Sequence, residues 1–144
     1  MTSPRLPEGF TPHLRKSGLT APWEPIFVRT TETAVQLGLR AAAPHANSRG
    51  IVHGALLTAL ADNAMGLSVA HHIDGKTRLL TVSLSVDFLA SAKLGQWVEV
   101  DTTFVKAGKR LCFAQAFVTA DGTPCARVSG TFIPAPLPEP EAAS

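Results

Sequence analysis

Cysteine is scarce in this chain of 144 residues and charge is modest: two cysteines, and 13 lysines and arginines against 11 aspartates and glutamates. Cys112 and Cys125 form no Cys-x-x-Cys pair and are too few for a disulfide framework. Both read as small buried hydrophobes of a reducing compartment. The basic residues are scattered from Arg5 to Arg127, for a net charge of only +2. Without a basic run, zinc-ligand spacing or aromatic–basic interleaving, nothing points to a nucleic-acid surface. A membrane span is missing too, because the apolar stretch 54–70 is broken by Asp62 and Asn63 and falls short of about 20 residues. Residues 1–8 carry no apolar core of a secretory signal, and no internal repeat is visible. The expectation is a cytoplasmic protein with neither nucleic acid nor membrane as partner.

What is present suits one domain with a sizeable core: 45% of the residues are hydrophobic. Pro4, Pro7, Pro12, Pro22 and Pro25 make 1–25 a loosely structured lead-in, with one short helix near 12–17. Residues 134–144 are Pro-rich and read as a disordered tail, so the domain is 26–133. Within it, 26–30 and 33–40 look like a first pair of strands and 54–71 like a helix stopped by Asp74-Gly75. Leu80, Val82, Leu84, Val86 and Phe88 alternate with Thr81, Ser83, Ser85 and Asp87, which predicts one buried and one polar strand face, with Thr81 on the polar one. Strands follow at 97–106, 111–120 and 125–133, with turns at Ala107-Gly108-Lys109 and Asp121-Gly122. One long helix and an antiparallel sheet of five or six strands make an α+β layer pair. The helix is apolar nearly all round, so a second subunit is expected to cover what the sheet leaves open.

Asp62 is the residue to explain. It is the one ionised side chain between Gly54 and Ala70, among Ala, Leu, Met and Val, where an unpartnered carboxylate costs several kcal/mol. On the helical wheel it shares a face of small residues with Ala55, Thr58, Ala59 and Gly66, away from Leu56 and Leu60. That face looks onto an interface or a slot. Asp62 is then either chemical or a satisfied polar residue at a subunit contact. Ahead of the helix, Gly50 and His53-Gly54 put free backbone N–H groups at a helix N-terminus, which favour an anion or a carbonyl oxygen becoming one. Gly50 and Gly54 also fit plain turns, and Asn47 alone fits a turn or cap better than catalysis. The combination of carboxylate, amide side chain and helix N–H groups favours chemistry.

The pattern Asn47-x-x-Gly50-x-x-His53-Gly54-Ala55, with Asp62 eight residues after Gly54, resembles the hotdog-fold acyl-CoA thioesterases of the phenylacetate-pathway (PaaI) type. The similarity runs on through 82–88, Ala92-Lys93-Leu94-Gly95 and Lys106-Ala107-Gly108-Lys109, and spans 33–133. It implies a central helix wrapped by a five- to six-stranded antiparallel sheet, dimers usually paired into tetramers, and active sites at the dimer interface. It implies Asp62 as nucleophile or general base, the Gly54 N–H on the thioester carbonyl, and His53 holding the loop. Asn47, from the opposite subunit to Asp62, would position carbonyl or water. Thr81 stands where some relatives carry a serine that orients the hydrolytic water. Ala55 departs from the His-Gly-Gly of many members and implies a slightly tighter slot.

The implied reaction takes acyl-CoA and water to acid and free coenzyme A; the latter belongs to the substrate, and neither cofactor nor metal is implied. Gly50 and Ala55 are expected against the substrate. Lys106, Lys109 and Arg110 are expected near its phosphates, although a solvated turn explains them equally. His71 and His72 read as partners of the helix's last carbonyls, and Asp87 and Asp101 as solvated strand residues. Met65, Leu67, Phe88 and Phe104 are candidates to line an acyl pocket, for aryl or medium-chain groups alike. The alternatives are a hotdog dehydratase or hydratase, which needs a His acting with an acid, and a non-catalytic acyl-CoA sensor, for which Asp62 would have no use.

Overall fold

The computed structural model describes residues 5–135. A long helix, α1 (Gly54–Ile73), is wrapped by seven strands: β1 (Thr11–Pro12), β2 (Phe27–Thr30), β3 (Val35–Arg40), β4 (Arg78–Phe88), β5 (Trp97–Ala107), β6 (Cys112–Ala120) and β7 (Thr123–Ala135). They form one sheet in the order β1-β2-β3-β5-β6-β7-β4, every neighbouring pair antiparallel. This is the expected hotdog arrangement, with one very short strand beyond the predicted six. Asp121 and Gly122 both adopt positive φ, 47° and 83°, the geometry that closes a two-residue hairpin between β6 and β7.

The core lies between α1 and the concave sheet face. Leu60, Met65 and Val69 of the helix meet Leu37, Val100, Val118, Val128 and Phe132, all buried. Each such side chain contributes roughly 1.5–3 kcal/mol on leaving water. The strip Ala55, Thr58, Ala59, Asp62, Asn63 and Gly66 is left half-buried or exposed, together with Gly54, Leu67 and the last turn from His71 to Ile73. The helix stops as predicted: Asp74 caps it, and the Asp74 and Gly75 N–H groups both return to the Ala70 carbonyl.

Four expectations need correction. The lead-in is docked: Phe10 is buried edge-on against Trp97 at 5.0 Å, and the Arg29 guanidinium lies 4.4 Å over the Phe10 ring. No helix forms at 12–17; Pro12 ends β1 instead, and one 3₁₀ turn comes later, at Ala21–Trp23. At the other end β7 continues through Pro134 and Ala135, which pair with Leu79 and Arg78. Since β6 has ended by its Cys112–Phe132 pair, a proline costs the sheet little there. The rest of the expected tail, 136–144, lies outside the described residues.

The fourth correction concerns β4. The register between β4 and β7 shifts between Thr81 and Ser83, so Val82 sits in a β-bulge. One extra residue reverses the alternation. Leu79 and Thr81 therefore face the helix before the bulge, and Leu84 and Val86 after it, while Leu80 and Val82 are 53% and 56% exposed. Thr81 is thus on the inner face, opposite to the polar face that strict alternation assigns it. A similar shift between Thr102 and Phe104 turns the Phe104 ring outward, away from any pocket beside the helix.

Candidate active site

Two clusters form along α1, one at its N-terminus and one at its middle. The first begins in the loop 46–53. The Asn47 side-chain oxygen accepts the N–H groups of Arg49 (2.9 Å) and Ile51 (3.3 Å), and Gly50, at φ +78°, donates to the Asn47 carbonyl. Asn47 and Gly50 are therefore the turn residues that the plainer reading made them, with the Asn47 amide nitrogen unpartnered among the described residues. His53 is the N-cap: in extended backbone, its Nδ1 accepts the Ala55 N–H at 2.9 Å. The Leu56 and Leu57 N–H groups both reach the His53 carbonyl. Of the first-turn donors, only the Gly54 N–H is left without a partner among the described residues. A Cβ on Gly54 would come within 2.9 Å of the Phe88 ring, so the bare glycine lets that ring lie against the helix start.

Behind this loop stands a residue that sequence reasoning missed, His45. It is buried; its Nδ1 accepts the Ala42 N–H at 2.9 Å, so the proton sits on Nε2, which donates to the Trp23 carbonyl at 3.0 Å. Its own carbonyl accepts the His53 N–H at 2.8 Å. His45 thus ties the loop to the lead-in, a role for which a lone histidine in loop text gives no local signal.

The second cluster is Asp62 with Thr81. The Thr81 hydroxyl donates to Asp62 Oδ1 at 2.7 Å. The bulge at Val82 makes this possible, because it brings Thr81 to the helix side. Both residues line a cavity of about 470 Å³ between α1, β4 and the segment 13–20, whose apolar wall includes Leu60, Leu67, Leu79 and Phe132. The other carboxylate oxygen has no partner among the described residues.

Within one chain the two clusters stay apart: Gly54 and Asp62 are eight residues apart on one helix, about 12 Å along its axis. Ala55 is exposed beside the cap. Lys106, Lys109 and Arg110 are exposed around the β5–β6 turn, form no ion pair among the described residues, and do not line the Asp62 cavity. Met65 is fully buried. His71 and His72 face the carbonyls of Glu32 and Thr33 between β2 and β3, not those of their own helix. Asp87 pairs with Arg127 at 2.9 Å, and Asp101 accepts the Gln36 amide at 2.8 Å, so neither is merely solvated. Burial pushes the Cys125 thiol up, which suits a packing role. Among the described residues no group of His, Cys, Asp and Glu is placed to hold a metal ion.

Comparison with known proteins agrees with this architecture. Residues 49–126, more than half of the chain, match the model of the Thioesterase superfamily. PA0474 of Pseudomonas aeruginosa, provisionally named an esterase, is 36% identical over 128 residues, covering 88% of this chain and 96% of that protein. In fold, the chain is similar to a hypothetical thioesterase from Streptococcus pneumoniae solved with coenzyme A (TM-score 0.70, 21% identity, 78% of this chain and 90% of that one). It is similar also to a mutant of the phenylacetic acid degradation protein PaaI from Thermus thermophilus (TM-score 0.67, 23% identity, 75% and 91% covered). A family match of this extent and a relative of this identity make the chain a member of the Thioesterase superfamily, a hydrolase acting on thioester bonds.

Proposed function

We propose that this protein is a cytoplasmic acyl-CoA thioesterase of the PaaI type, acting on aryl- or medium-chain acyl-CoA and suited to phenylacetate breakdown. The observation that carries the reading is Asp62: a half-buried carboxylate, oriented by Thr81 at 2.7 Å, on a cavity that has Leu60, Leu67, Leu79 and Phe132 as its apolar wall. Coenzyme A in the pneumococcal structure supports CoA as the thiol carrier, and the likeness to PaaI supports the subfamily.

The free Asp62 oxygen attacks the thioester carbonyl carbon, the C–S bond breaks to release coenzyme A thiolate, and water hydrolyses the resulting acyl-Asp anhydride; or Asp62 takes a proton from a water that attacks the same carbon and displaces the thiolate directly, that proton passing to the thiolate. The developing oxyanion is received by the Gly54 N–H, a donor worth about 10²–10³ in kcat in comparable sites. Because Gly54 lies about 12 Å from Asp62 along one helix, that N–H comes from a second copy, and the enzyme works as a dimer, itself paired into a tetramer. His53 holds the Gly54 turn by capping it, Asn47 shapes the preceding loop and offers its amide nitrogen, and Gly50 and Ala55 flank the approach. Lys106, Lys109 and Arg110 meet the phosphates of coenzyme A. No cofactor takes part.

The test is thiol release from phenylacetyl-, hydroxyphenylacetyl-, benzoyl-, hexanoyl- and palmitoyl-CoA by the wild type and Asp62→Asn. Hydrolysis that falls by at least about 10² in a folded variant is expected. Wild-type-like turnover in Asp62→Asn refutes the assignment.

A further inference from the structure

We propose that Gly66 is a specificity-determining residue: its missing side chain keeps the turn of α1 next to Asp62 bare, so that an unbranched arm of the substrate can lie against it. The proposal rests on the thioesterase reading above and says where that substrate lies.

Beyond its first residue, α1 carries one glycine in 20 residues, Gly66. Inside a helix, glycine is destabilising relative to alanine, because it loses more backbone freedom on folding and has no side chain to pack. Close approach by another part of the chain is a common reason to keep one. Gly130 of β7 has that reason, since a Cβ there would stand 2.7 Å from the Phe132 ring. Gly66 does not. A Cβ on it would meet only the other side of that ring, at 3.9 Å, an ordinary van der Waals contact. Nor does Gly66 adopt a positive φ, the other circumstance that calls for glycine. The protomer would therefore accept alanine at position 66 and gain stability from it.

What lies over Gly66 is the cavity that it shares with Asp62 and Thr81. Gly66 follows Asp62 by four residues, so it stands one turn further on the same face, about 6 Å along the axis. Residues 13–20 of this same chain wall the cavity opposite the helix. The glycine thus opens room inside the protomer rather than a seat for another subunit. A thioester carbon held at the Asp62 carboxylate places one of its two arms against Gly66, a few bonds out. The acyl group and the pantetheine arm of coenzyme A both begin as slender chains, the shape that a bare helix turn admits and a side chain blocks.

The experiment measures thiol-release kcat/KM on acetyl-, hexanoyl- and phenylacetyl-CoA for the full chain as wild type, Gly66→Ala and Gly66→Leu, both substituents being good helix formers. Melting temperature and oligomeric state are recorded for each. Binding of S-hexyl-coenzyme A, a thioether that carries no ester to cleave, is followed by calorimetry, so that contact is read apart from turnover. Gly66→Ala is expected to melt above the wild type. Gly66→Leu is expected to keep fold and assembly yet lose about tenfold or more in kcat/KM, with a parallel loss of thioether binding. A loss confined to the hexanoyl and phenylacetyl groups assigns the contact to the acyl group, and an equal loss on acetyl-CoA assigns it to the pantetheine arm; either supports the proposal. Wild-type kcat/KM and binding in Gly66→Leu overturn it. So does a lower melting temperature in Gly66→Ala or a dissociated Gly66→Leu, which would show that the fold or a subunit contact needs the glycine. A wild type that binds the thioether but cleaves no ester overturns the thioesterase reading alone, and the binding loss in Gly66→Leu then still supports the contact. Neither binding nor cleavage by the wild type overturns both.

Discussion

The bond between Thr81 and Asp62 sets how the carboxylate is presented: the hydroxyl occupies one oxygen and leaves the other without a partner among the described residues, as the proposed chemistry requires. A hydrogen bond to a charged group contributes about 1.5–3 kcal/mol, so Thr81→Ala is expected to lower kcat by about tenfold or more. Thr81→Ser, which keeps the hydroxyl, should stay near wild type; kcat and KM measured for both variants separate loss of orientation from loss of binding. A second carboxylate reports on stability. Asp74 is held below its ordinary range by the Lys76 and Thr77 N–H groups and the Thr77 hydroxyl. A lowered carboxylate stabilises the fold above its unfolded-state value, about pH 4, and the contribution disappears as pH falls through the lower folded-state value. Melting temperatures of the wild type and Asp74→Ala should differ at neutral pH and converge in acid.

At the scale of elements, the start of α1 separates a backbone donor from everything else the turn does. Gly54 is the first helical residue, where proline is well tolerated, and His53 before it is already in the extended conformation a proline requires, at φ −68° and ψ 133°. Gly54→Pro thus removes the single free N–H without breaking a helical hydrogen bond. The Phe88 ring must yield, since even a Cβ would stand 2.9 Å from it, but its exposed end can shift. The expected outcome is a loss of about 10²–10³ in kcat with little change in melting temperature. A variant with full activity would remove Gly54 from the mechanism.

For the whole molecule, the sheet wraps α1 on one side, the segment 13–20 closes a cavity over Asp62 and Gly66, and Gly54 and Asp62 stand about 12 Å apart along the helix, too far to serve the proposed thioester from one chain. A two-fold dimer would answer this, each site combining Gly54 of one copy with Asp62 of the other. Co-refolding Gly54→Pro with Asp62→Asn should then restore activity to about a quarter of wild type, because mixed dimers carry one intact site. No recovery on mixing would mean that the two residues serve the same site from one chain.

The sequence by itself determined the architecture and singled out the carboxylate. Period-two text in the strands, an all-round apolar helix with one acidic residue, and Asp-Gly stops at both the helix end and the last hairpin are local signals, and each element formed where they stand. Asn47 and Gly50 were also legible as turn residues, since turn chemistry acts over a few positions, whereas the part of His53 in holding the loop came from the family resemblance. What only the tertiary structure decided were the contacts between distant segments. The bulge at Val82 reverses a strand whose alternation looks unbroken, because a single inserted residue leaves no mark in composition yet moves Thr81 to the helix side. The docking of the lead-in through Phe10, the tether at His45 and the cavity beside Asp62 likewise depend on the curvature of the sheet, which brings residues 13–20 over a helix more than thirty positions later.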